Sequence, residues 1–166
     1  MEIRDFQTMY LTELQEARSL EALQIDALPV MADAADDREL ADAFQAHLAE
    51  TRAQFDQVEA ILKRHRVAET MPATASAQAI VAEAQAIVDK VERGPLRDAA
   101  LIAWAQRIEH LEIALYGTLA TYAKMLGWHE EKRTLGGILE EERATDEDLS
   151  DIATMLVNPH AFEAAA

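Results

Sequence analysis

Apolar positions recur at intervals of three and four along most of the chain, the mark of α-helices that each bury one face. The clearest stretch is 95–126. With Glu112 at zero on a wheel turning about 100° per residue, Leu101, Ala105, Ile108, Leu115, Tyr116, Leu119, Ala123 and Leu126 fall within about 60° of it. A carboxylate therefore sits in the middle of an apolar stripe. Burying it alone costs several kcal/mol unless it is paired, protonated or bound to a cation.

The same pattern recurs in three other long segments. A helix over about 5–35, with Asp5 as N-cap, carries Ile3, Tyr10, Leu14, Ala17, Leu28 and Ala32 on one side, with Glu21 at the centre. Pro29 lies inside this pattern and predicts a kink or break. The polar interruption at 33–37 suits a hairpin, and a second helix follows over about 37–65. Its stripe is Leu40, Phe44, Leu48, Thr51, Phe55, Val58 and Leu62, with His47 and Gln54 in the face and Glu50 at its edge. The last helix spans about 130–157 and centres on Glu142, flanked by Leu135, Ile138, Leu139, Leu149, Ala153 and Leu156. Asp146 lies one turn on, and Glu141 points about 100° away, toward solvent.

Between the second and third long helices the segment Met71-Pro72-Ala73-Thr74-Ala75-Ser76 reads as a loop. A short helix over about 76–91 follows, carrying Ile80, Val81, Ala84, Ile87, Val88 and Val91. This connection is too long for a hairpin and suits a crossover along a bundle. Arg93-Gly94-Pro95 stops the short helix and starts the next, with Pro95 fitted to a first turn. Gly127 ends that one. The pattern predicts an all-α four-helix bundle, two antiparallel helix pairs with a short crossover helix, in one domain over 1–157. A frayed tail over 158–166 follows.

Composition narrows the chemistry. The 166 residues carry a net charge of −16 with no cysteine. The acidic balance argues against nucleic acid and anionic membranes as partners. The lack of cysteine excludes disulfides, zinc–thiolate sites and thiol catalysis. The first residues lack the pattern of a signal peptide and no run is long enough to span a bilayer, so the expected location is cytoplasmic.

Each long helix thus brings one acid in or beside its stripe: Glu21, Glu50, Glu112 and Glu142. Glu21 and Glu50 are 29 residues apart and Glu112 and Glu142 are 30 apart. That is the arithmetic of two similar hairpins, which would bring four carboxylates to one level. Four acids in a dry core cannot all ionise without cations, and two divalent metals, Fe or Mn, meet that need. His47 and Asp146 are further candidate ligands. Gln54, Glu109 and Tyr116 are placed to orient ligands.

At these positions the chain resembles the YciE/YciF-type ferritin-like family of bacterial stress-associated proteins. The stretches that carry the resemblance are Tyr10-Leu-Thr-Glu-Leu, Ala27-Leu-Pro-Val-Met, His47-Leu-Ala-Glu-Thr, Leu96-Arg-Asp-Ala-Ala-Leu-Ile-Ala, Glu109-His-Leu-Glu-Ile-Ala-Leu-Tyr-Gly-Thr-Leu and Glu140-Glu-Glu-Arg-Ala-Thr-Asp-Glu-Asp-Leu. The resemblance implies a ferritin-like four-helix bundle, dimeric, with a dinuclear metal centre. Two departures bear on its chemistry. Better-known di-iron bundles carry Glu-x-x-His on two helices, whereas here Ala53 follows Glu50 and Thr145 follows Glu142. Position 18, commonly aromatic in the family, is Arg18, close enough to the expected site to pair with one of its acids.

Two functions are compatible with this reading. One is a carboxylate-bridged di-metal protein of the stress response that oxidises Fe(II) or detoxifies oxidants. The other is a metal-free helical-bundle dimer that acts structurally or binds a partner, its acids protonated or hydrogen-bonded to Arg18, Gln54, His47 and Tyr116. A second apolar patch of Trp104 and Leu111 on one side of Glu112, with Ile102 and Ile113 on the other, predicts cover by the crossover helix or a second subunit. A homodimer without a storage shell is expected.

Overall fold

The computed structural model describes residues 3–67 and 74–164. Of the loop expected over 71–76, residues 71–73 lie outside the described residues, and Ala75 and Ser76 belong to a helix that Thr74 caps. Helix α1 (Phe6–Ala34) is capped as expected: the Asp5 carboxylate accepts from the Thr8 backbone N–H at 2.7 Å and from its hydroxyl at 2.8 Å. Ile3 lies before the helix and is exposed, so it does not belong to the stripe. Pro29 does not break α1. It removes a single N–H and so deprives only the Ile25 carbonyl of its donor. Burial of Leu28 just before it and of Met31 and Ala32 just after holds the helix together across that gap.

Helix α2 (Arg38–Arg64) starts at Asp37, whose side chain accepts from the Leu40 N–H at 3.1 Å. Helix α3 (Ala75–Lys90) is the crossover, capped by Thr74. Helix α4 (Pro95–Met125) follows Gly94, whose φ of +145° is strained for any residue with a Cβ, and Pro95 occupies the first turn. The start of α4 is pinned to the α1–α2 hairpin. The buried Asp98 carboxylate accepts the Asp36 and Asp37 N–H groups, each at 2.8 Å.

Helix α5 (His129–Ile152) departs from the expected straight run to 157. It widens into a π-helical turn (Ala153–Val157) and continues as α6 (Asn158–Ala164). The frayed tail expected over 158–166 is thus helical through Ala164. The wide turn moves the Pro159 ring away from the preceding carbonyls that a continuous α-helix would drive it into. Burial of Val157 and Ala161 then holds the segment against α4.

Helix α1 pairs with α2 and α4 with α5, while α3 lies over α1 and α4. This is the four-helix bundle with a crossover helix. The crossover covers the Trp104 side of the second apolar patch: Trp104 is 1% exposed and its indole N–H donates to the Ile80 carbonyl at 2.6 Å, while Leu111 and Ile113 stay half-buried. Trp104→Ala will therefore cost about 3–5 kcal/mol in urea unfolding, since it removes a full aromatic side chain and frees α3. A loss under about 1 kcal/mol would mean that α3 contributes little to the fold.

The apolar core is in two halves. One contains Leu28, Met31, Phe44, Leu101, Trp104 and Leu149, and the other Leu14, Leu20, Val58, Tyr116, Leu119 and Ile138. Every long helix passes from one half to the other, and at the crossing it carries polar side chains. Those crossings are Glu21 and Gln24 on α1, His47 to Gln54 on α2, Glu109 and Glu112 on α4, and Glu142 on α5.

Candidate metal centre

A buried carboxylate needs donors or cations in place of the water it has lost. The layer between the core halves supplies few donors. Tyr116 donates its hydroxyl to Glu21, and Gln24 donates its amide to Glu112 Oε1. Glu21, Glu109, Glu112 and Glu142 are each at most 1% exposed, and His47 is 4% exposed. Single donor atoms from His47, Glu109, Glu112 and Glu142 all lie within 4.8 Å of one another. Glu21 adjoins them across Glu112.

The electrostatics follow from that crowding. Burial, followed by the charge of Glu109, pushes the Glu142 carboxyl up to about 10. Burial raises Glu21 to about 7, with the Tyr116 hydrogen bond working against it. Glu112 is held well above the carboxylate range by burial, then by the charges of Glu21 and Glu142. Burial alone would lower His47, but Glu109 and Glu50 outweigh it and hold the imidazole well above its ordinary value.

The donor set fits a hard or borderline divalent metal. Nine buried side-chain atoms among the described residues lack a hydrogen-bond partner, and seven belong to this group: Glu21 Oε2, both His47 nitrogens, Glu109 Oε2, Glu112 Oε2 and both oxygens of Glu142. His47 Nε2 is 3.2 Å from Glu109 Oε1, close enough for charge attraction but out of hydrogen-bond alignment. One imidazole among several carboxylates suits Mn or Fe better than a thiophilic metal.

Of the residues singled out from the sequence, Glu112, Glu142 and His47 come together, with Glu21 beside them through Tyr116. Glu109 was read as an orienting residue at the edge of its stripe. It is in the group itself, because α4 is wrapped by α1, α3 and α5 and so buries a wider arc than one stripe. Gln24 was not singled out at all. Its signal was the i, i+3 spacing from Glu21, the same spacing that joins Glu109 to Glu112.

The other candidates lie apart from the group. The Glu50 side chain is 48% exposed, with Oε2 at 3.6 Å from His47 Nδ1 and 3.5 Å from the Thr145 hydroxyl. Asp146 faces Gln106 at 3.3 Å and His110 at 3.2 Å on the outer side of the α4–α5 pair. Gln54 donates to Glu141 at 3.0 Å rather than to a buried acid, which also gives Glu141 a partner where only solvent was expected. Arg18 pairs with Glu59 at 3.1 Å and lies over the Phe55 ring at 4.6 Å. The expected pairing of Arg18 with a site acid is not seen, because this cation–π contact and Glu59 draw the guanidinium outward.

Another buried carboxylate, Glu131, sits at the far end of the bundle and is fully partnered. It accepts from the Tyr10 hydroxyl at 2.8 Å and lies 2.9 Å from His65 Nε2, with Trp128 packed against both rings. The contrast is informative: an isolated buried acid here receives a donor for each oxygen, and the central group does not.

Comparison with known proteins places this architecture. Residues 5–162 match a family described as a domain of unknown function (DUF892). The chain is 36% identical to protein YciF of Escherichia coli (strain K12) over 162 residues, covering 97% of this chain and 98% of that protein. The crystal structure of the E. coli stress protein YciF superposes with a TM-score of 0.88 at 35% identity, covering 94% of this chain and 99% of that one. The protein YcfI from Rhodopseudomonas palustris gives a TM-score of 0.79 at 29% identity, covering 90% and 95% of the two chains. A protein of Xanthomonas campestris pv. campestris, 20% identical with a TM-score of 0.77, shares the fold over 97% of this chain and 99% of that one. By sequence and by fold, this chain belongs to the DUF892 family and is a relative of the stress protein YciF.

Proposed function

We propose that the central group holds a pair of divalent ions, Fe or Mn, and that the protein uses them to oxidise Fe(II) with oxygen or peroxide as the electron acceptor, or otherwise to dispose of an oxidant under stress. The observation that carries this reading is the concentration of unpartnered buried atoms at one level of the bundle. Four carboxylates against two divalent cations make a neutral set, whereas the same acids without cations must take up protons. Glu109, Glu112, Glu142 and His47 would hold one ion, and the neighbouring Glu21 would help to hold the second. Tyr116 and Gln24 hold Glu21 and Glu112 in orientation from the other side. The apolar half-cores above and below keep bulk water out. Bound there, such a pair supplies one-electron steps and Lewis acidity.

Metal analysis tests this directly. The full chain, purified without chelator and loaded anaerobically with Fe(II) or Mn(II), will retain about two ions after desalting. Retention of fewer than about one ion per chain would favour the metal-free reading.

The assembly we propose is a homodimer, with no storage shell. Trp104 and Ile102 are covered within the chain, but Leu96, Met125, Met155 and Phe162 remain more than half exposed. Light scattering in physiological salt will give a mass near twice the 18.4 kDa of one chain. A clean monomer, or a particle of about a dozen chains or more, would contradict it.

A further inference from the structure

The central group is not sealed on every side. A cavity of about 110 Å³, room for several waters, opens between α2 and α5, with His47 and Glu109 in its lining and Glu50, Thr145 and Asp148 nearer solvent. Through Ala43, Ala46 and Asp148 it adjoins an open bowl of about 690 Å³. That bowl also carries Glu39, Asp42 and Asp151, and among the described residues no basic side chain lines it. The nearby Arg38 approaches only Asp42, at 3.7 Å.

His47 joins the outside to the inside. It is 4% exposed, lines the cavity, and neither of its ring nitrogens has a hydrogen-bond partner. Nδ1 lies 3.6 Å from the half-exposed Glu50 and Nε2 lies 3.2 Å from the buried Glu109. Oxygen and nitrogen donors therefore run in sequence from solvent to the central group, in a concave acidic setting that concentrates cations.

Resting on the metal-binding reading above, we propose that this cavity is the portal by which divalent cations reach the centre. Asp148 and Glu50 capture the hydrated ion, and His47 passes it to Glu109. Each carboxylate oxygen replaces a water of the incoming ion, so the ion is never bare in the apolar throat beside Phe44 and Leu149. Glu50 is then a residue of passage, in keeping with its exposure, rather than a ligand of the resting centre.

Rate and stoichiometry separate these roles. Anaerobic stopped-flow uptake of Co(II) by the full chain, read by its visible absorption, will be about tenfold slower in the double variant Glu50→Gln/Asp148→Asn. The wild-type rate will fall with added salt, and the variant's rate will fall less. Ala46→Phe, a substitution at an exposed position lining both the cavity and the bowl, will slow uptake by obstruction. All variants will reach the wild-type stoichiometry. Unchanged rates in both variants would overturn the portal while leaving the metal centre standing. A lower final stoichiometry in the double variant, reproduced by Glu50→Gln alone, would make Glu50 a permanent ligand and overturn its role in passage. No Co(II) uptake by the wild type would overturn the metal centre and the portal together.

Discussion

Glu112→Ala will abolish stoichiometric metal uptake and leave a helical protein. Glu112 is 1% exposed and feels the charges of both Glu21 and Glu142, so it is the acid in the proposed centre whose loss would disturb the most neighbours. The effect on the metal-free protein runs the other way. Glu112→Gln keeps the shape and an acceptor for Gln24 while removing an acid held well above its ordinary range, so the metal-free variant will gain about 1–3 kcal/mol. The alanine variant gains less, because it leaves a cavity and an unpaired Gln24 amide. Full stoichiometry and affinity in Glu112→Ala would remove Glu112 from the centre. A metal-free Glu112→Gln protein less stable than wild type would remove the electrostatic argument.

The metal-free protein will lose stability as pH rises, the reverse of ordinary acid denaturation. Unfolded, Glu21 and Glu142 titrate near 4.5; folded, they titrate at about 7 and about 10. Below pH 4.5 both states carry the protons and the burial has no pH-dependent cost. Above it the unfolded chain ionises first, so stability falls through pH 7 for Glu21 and up to about pH 10 for Glu142. Glu21 alone contributes a loss of about 3 kcal/mol over that window. His47, also raised, adds a loss in the same direction. The lowered carboxyls of Asp5 and Glu50 oppose it only at acid pH, where their stabilisation is lost. Metal reverses the trend, because binding requires the ionised acids and strengthens as protons leave. Urea midpoints from pH 5 to 8, with and without Mn(II), will cross. A metal-free midpoint that climbs over this range would contradict the arrangement.

Much of this was legible in the chain because helices of this kind announce themselves twice, by stripe and by cap. Asp5, Gly94-Pro95 and Gly127 marked ends that the structure keeps. Glu21, Glu112 and Glu142 stood out as charges in otherwise apolar faces, and they do converge. A wheel says nothing about how many neighbours a helix has, so it placed Glu109 at an edge that α4 in fact buries. The same limit gave Glu50 more depth than it has, since its direction is decided by how far apart α2 and α5 stand. Gln24 was hidden because an amide on a helix has no cost that demands explanation until its neighbour is known to be an acid. The π-helical turn before Asn158 depends on the fit of Val157 and Ala161 to α4, a tertiary matter that local periodicity does not record.

The layer between the half-cores also decides how the helices align lengthwise. Leucine-rich stripes tolerate sliding by a turn, since one apolar side chain replaces another at little loss. Here a one-turn slip of α1 would bring Glu21 level with one hydrophobic half or the other and away from Tyr116, leaving a carboxylate among leucines. The same holds for α4 through Glu109 and Glu112, and for α5 through Glu142. The acids that make the centre costly to build thereby penalise every misaligned bundle more than the correct one, and register becomes a property of chemistry rather than of shape.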